Sequence, residues 1–153
     1  MPYSENDLKM FVPITDKRLL VGTAYFELHQ GELPTQYACW LDDSLFIQEA
    51  AFDFFELCFQ NAIAEFDYFS FNRATPSQVA QLSVEVGHFL ATVAKPVQRE
   101  LLFSRLVAPQ NRTDWDPLET DQLRRALLVC GKAIEDYVND AKENGAVLNV
   151  LGM

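Results

Sequence analysis

Positive charge is what the front of this chain lacks. Between Arg18 and Arg73 there is no lysine or arginine, while the same interval carries Glu27, Glu32, Asp42, Asp43, Glu49, Asp53, Glu56, Glu65 and Asp67. A surface of one negative sign repels phosphate backbones and anionic membranes, so neither nucleic acid nor a membrane is an expected partner. It attracts basic proteins and speeds their encounter. The imbalance is local: residues 1–75 hold 12 acidic and 4 basic side chains, residues 76–153 hold 10 and 8, and the chain totals −10.

Other absences narrow the chemistry. Three cysteines, Cys39, Cys58 and Cys130, stand far apart with no C-x-x-C pair. That excludes a disulfide framework and a zinc knuckle, and all three read as buried, reduced thiols. Histidine occurs only at 29 and 88. Glu85-x-x-His88 has the spacing of one half of a carboxylate-bridged di-iron site, but the second half is missing. Gln78, Gln81, Glu85, His88 and Thr92 share a polar stripe, so the pair faces solvent. Six scattered glycines form neither a G-x-G-x-x-G nor a Walker loop, and there is no G-x-S-x-G elbow. The expectation is a protein with no metal and no cofactor. The first ten residues include Ser4, Glu5, Asn6, Asp7 and Lys9, unlike the apolar core of an export signal. No uncharged run approaches the roughly 20 residues of a membrane helix. A cytoplasmic location is expected.

Apolar material is abundant. Hydrophobic residues make up 49% of the 153, including 12 Phe, 5 Tyr and 2 Trp. A disordered acidic tail lacks that content. One domain over 1–153 is expected, with no repeat, linker or low-complexity stretch.

Periodicity gives an α+β fold, a small, mostly antiparallel N-terminal sheet followed by about four helices. Lys9 to Thr15, broken by Pro13, reads as an edge strand or extended arm. Arg18 to His29 alternates as a strand and, with Gln36 to Leu41, suggests a hairpin. A helix is expected from Asp43-Ser44 to about Phe66, apolar over most of its surface, with Glu49, Asp53, Glu56 and Gln60 as its narrow polar stripe. Asp67 to Phe71 fits a strand or a loop. Thr75-Pro76-Ser77-Gln78 is a capping box with proline in the first turn. Lys95-Pro96 ends that helix and starts another, which closes before Pro109. Asp116-Pro117-Leu118-Glu119 opens the last helix, and Gly145 stops it. Ala146 to Leu151 is a short apolar tail able to add a strand to the sheet.

Glu49, Asp53 and Glu56 lie one helical turn apart and repel each other by a few tenths of a kcal/mol per pair. Such a stripe is a solvated face, a landing surface for a basic partner, or a paired-carboxylate site. The last needs a cleft to raise one carboxyl pKa, and an exposed helix surface provides none. The expected function is therefore a protein-binding module that sequesters a basic partner, of the kind a nuclease-type toxin would be. Its partner-binding residues are Asp42, Asp43, Glu49, Asp53 and Glu56. Small acidic immunity proteins and antitoxins share its size and charge, an analogy of bulk properties only. A secretion-type chaperone holding an unfolded segment is one alternative. An enzyme or ligand carrier with an unfamiliar pocket is the other. Eight of the twelve phenylalanines fall between Phe46 and Phe71, either as core or as the lining of a groove.

Overall fold

The computed structural model describes residues 5–36, 40–108, 115 and 118–152. Its most regular parts are those with clear start and stop signals. Helix α3, Pro76–Val93, opens on the Thr75 capping box: Thr75 accepts from the Gln78 amide and Gln78 accepts from the Thr75 amide. It buries Val79, Leu82, Val86, Phe89 and Val93, the face its 3.6-residue period specifies. Helix α5, Thr120–Glu143, is capped by a Glu119–Gln122 box, a few residues beyond the expected start. It ends at Asn144, with Gly145 at φ +60 where a side chain is disfavoured. The two helices pack tightly at Gly131, where a Cβ would fall 2.3 Å from Leu90 Cδ2. Between them lies a five-residue helix, α4, Arg99–Phe103.

The sheet has four antiparallel strands in the order β2-β1-β4-β3. They are β1 Tyr25–Gln30, β2 Leu45–Gln48, β3 Phe71–Ala74 and β4 Leu148–Leu151. The apolar tail does join the sheet, and it takes an interior place between β1 and β3. Cross-strand pairing puts Phe26, Leu28, Leu45, Ile47, Ala74, Leu148 and Val150 on one face, and all belong to the hydrophobic core with α3 and α5. The opposite face carries Tyr25, Glu27, His29, Phe46, Asn149 and Leu151. It is covered by the segment leading into β2: Trp40 packs edge-on against Tyr25 and Phe46.

Four expectations need correction. Residues 43–66 are not one helix. Leu45–Gln48 is strand β2, buried on both faces, which gives the continuous apolar run that also looks helical. Helix α1, Glu49–Phe52, then gives way to a tight turn before α2, Glu56–Ala62. In that turn Phe54 N–H donates to Ala51 O and Phe55 N–H to Phe52 O, the three-residue closure of a 3-10 turn. Tightening rotates Phe52, Phe54, Phe55 and Phe59 inward together, all 0% exposed, which an unbroken helix cannot do with positions spread around its axis. Second, the strand beside β1 is β2, not Gln36 to Leu41, of which residues 37–39 lie outside the described residues. Third, the first three residues of Lys9 to Thr15 close a 3-10 helix, Glu5–Phe11, and in the rest only Ile14 bridges the sheet, at Phe46. Fourth, no helix opens at Asp43-Ser44, so Asp42 and Asp43 do not stand at a helix entrance. They form the turn before β2, with Asp43 at φ 64. Cys58 and Cys130 are buried free thiols, as expected, and Cys39 lies outside the described residues.

Candidate functional site

A cleft of about 650 Å³ opens at the end of the sheet where β2 passes into α1. The ladder ends there on the Glu49 N–H donating to Ala24 O, 3.0 Å. Glu49 is the first residue of α1, Asp53 follows its last turn and Glu56 is the first residue of α2. The break at 53–55 therefore keeps the three carboxylates on one side while turning the phenylalanines inward. All three line the cleft, with Tyr68, Phe69, Met10, Val107 and Ala108 around them.

Tyr68 organises the acids. Its hydroxyl donates to Asp53 Oδ1 at 2.6 Å, with Glu49 Oε1 at 3.2 Å. Its ring sits edge-on to Phe26, 4.8 Å between centroids, and Phe26 stacks on Phe52 at 3.7 Å and 8°. An aromatic floor thus holds the hydroxyl that draws two like charges together. Burial, and then Asp53, push the Tyr68 hydroxyl far above its ordinary pKa, so it stays a donor at any physiological pH. Glu56 is 8% exposed. Burial raises its carboxyl, against the opposing pull of the Gln60 amide, which donates to Glu56 Oε2 at 2.8 Å. Among the described residues no lysine or arginine forms an ion pair with Glu49 or Glu56. The cleft is a requirement that the bare stripe did not meet, and it overturns the expectation that these acids lie on an open helix surface.

The five acids expected to act together fall into two groups. Asp42 and Asp43 precede β2 and Glu49 follows it, so the four residues of the strand, roughly 13 Å at about 3.3 Å per residue, lie between them. Asp42 pairs with Lys17, Nζ to Oδ1 3.2 Å. The Asp43 carbonyl accepts from the Tyr137 hydroxyl at 2.8 Å, a structural tie to α5. Glu32 pairs with Arg73. Glu27 is wholly buried on the covered face of the sheet, accepting from Ser44 Oγ at 2.6 Å and from Leu41 N–H at 3.0 Å. Ser44 lies 2.9 Å from His29 Nδ1 and is 2% exposed. Its proton is committed to Glu27 and it is closed to substrate, so this Ser, His and Glu set fastens a turn and forms no nucleophile.

Tyr68 is the site residue that sequence reading missed. Its aromatic body and polar tip were visible, but nothing local says that the chain after α2 folds back over α1. Among the described residues no group of three or more His, Cys, Asp or Glu side chains is placed to hold a metal ion. None of the described helices is long and apolar enough to cross a membrane. No family model, curated protein or solved structure matches the chain.

Proposed function

We propose that this protein is an acidic binding module for a basic protein, with the cleft rather than the whole front surface as its contact point. The observation that carries this reading is the convergence of Glu49, Asp53 and Glu56 on one cavity, with Tyr68 tying the first two together. A lysine or arginine of the partner fits such a site: its charged head meets the carboxylates while its aliphatic stem lies along Met10, Phe69 and Val107. Carboxylates held in place by an aromatic floor lose little freedom on binding, which favours affinity. Acids elsewhere on the front half steer the encounter.

The test is capture from the native host with immobilised wild-type protein and with a Glu49→Gln/Glu56→Gln double variant. The wild type is expected to retain a basic protein that is released as salt rises, and the variant to retain at least about tenfold less. A neutral or acidic partner, or undiminished capture by the variant, overturns the reading. The cavity volume also favours a second reading, a carrier for a small cation, since sites for small ligands span about 300–1,000 Å³. Binding of arginine methyl ester without any captured protein would select it.

A further inference from the structure

Two opposite charges line one small cavity without meeting each other. The cavity, about 230 Å³, lies between α3 and the end of α4 and shares no lining residue with the acid-bearing cleft. From α3 it takes the Glu85-x-x-His88 pair and Phe89, and from the α4 side Leu101 and Arg105. Each charge is held by neutral neighbours. The Arg105 guanidinium lies over the Phe89 ring, 4.6 Å to its centroid, and Nη2 donates to Cys58 Sγ at 3.3 Å. Its Nε is buried with no acceptor among the described residues, so that edge is turned inward. Nη1, which has no partner and is not buried, is the donor left to the cavity. Glu85 accepts from Gln81 Nε2 at 3.1 Å on one oxygen and from Asn61 Nδ2 at 3.5 Å on the other. Among the described residues no carboxylate pairs with Arg105, and no lysine or arginine pairs with Glu85. A thiol is a weak acceptor and an amide carries no net charge, so both side chains keep their charge uncompensated.

We infer that this cavity binds a small zwitterion, a free α-amino acid of alanine to valine size, with its carboxylate on Arg105 and its ammonium on Glu85. Charge chooses the class of ligand. The two side chains are too far apart to pair directly, yet they share one cavity. Glu85 repels a plain anion and Arg105 repels a plain cation, whereas a molecule with both signs on neighbouring atoms satisfies each. Volume sets the size: at about 30 Å³ per water molecule, the cavity holds roughly eight, which matches a ligand of about six to eight non-hydrogen atoms. Leu101, 40% exposed, gives its side chain an apolar wall. The site stands apart from the acid-bearing cleft, and neither reading depends on the other.

Titration with L-alanine, followed through the backbone amide chemical shifts of α3 and α4, tests this. N-acetyl-L-alanine, which lacks the ammonium, and L-alaninamide, which lacks the carboxylate, are titrated beside it. Alanine is expected to saturate the shifts by about 10 mM and to outbind each analogue by about tenfold or more. Glu85→Gln is expected to abolish the preference over N-acetyl-L-alanine and to keep that over L-alaninamide; Arg105→Gln is expected to do the reverse. Glu85 is held only by side-chain amides, so Glu85→Gln carries the test even if Arg105→Gln, which loses the Phe89 contact, folds poorly. N-acetyl-L-alanine binding as tightly as alanine would make this an anion site, and L-alaninamide doing so would make it a cation site; either result overturns the proposal. So does a preference for alanine that Glu85→Gln leaves intact, or the absence of saturable shifts in α3 and α4 by about 10 mM.

Discussion

The two ends of β2 carry the same kind of charge in opposite circumstances. At its start, Asp42 points into water at 82% side-chain exposure and meets Lys17. At its end, Glu49, Asp53 and Glu56 line a cavity, and two of them share a tyrosine hydroxyl over stacked phenylalanines. Sequence distance and charge count treat the five alike. Desolvation does not, because a carboxylate gains or loses recognition value according to how much water it has already given up.

The largest expected effect comes from removing the floor. Phe52 is 0% exposed and stacked on Phe26, beneath Tyr68. Phe52→Ala is expected to cost about 3–5 kcal/mol in urea unfolding at equilibrium. A loss below about 1 kcal/mol would mean that the ring does not support the cleft, and that its two-ended contrast has no packing basis.

A smaller effect, with a definite pH signature, is expected at Glu56. Burial raises the folded-state pKa above the ordinary 4.5, so the folded protein holds this proton more tightly than the unfolded chain. The stability this contributes is fully present below the ordinary value and is lost as pH rises through the raised one. Glu56→Gln carries no such charge and can still accept from Gln60. Its melting temperature is expected to exceed that of the wild type at pH 7, and the gap to close by pH 4. A wild type that gains on the variant as pH rises would show that Glu56 is held as an anion by its surroundings.

How much of this was legible depends on whether one face met water. Helix α3 and helix α5 alternate between core and solvent, and their caps are spelled in Thr75-x-x-Gln78 and in Gly145, so pattern and punctuation agree. Strand β4 is a short apolar run after a helix stop, and it reads correctly. Residues 45–66 do not: strand β2 is buried on both faces, and the phenylalanines after it leave so narrow a polar side that strand, helix and 3-10 turn look alike. The acidic spacing survived this error: a helix that breaks after Phe52 and resumes at Glu56 still delivers Glu49, Asp53 and Glu56 to one side. The cleft itself depends on Tyr68 and on residues 107–108 arriving from elsewhere in the chain, which spacing within one element cannot disclose.

The smallest effect is expected at the other end of β2, and it is the sharper test of the comparison. Asp42→Asn removes a carboxylate from an exposed pair whose partner Lys17 is itself 40% exposed and also donates to the Trp40 carbonyl. Pairs of this kind contribute about 0–1 kcal/mol, less as salt screens them. Urea unfolding of Asp42→Asn is expected to match the wild type within about 0.5 kcal/mol. Its capture of the basic partner is expected to fall only through slower association at low salt, with dissociation unchanged. Faster dissociation would place Asp42 in the bound contact. The contact would then span both ends of β2, and the proposal would return to a broad acidic face in place of a cleft.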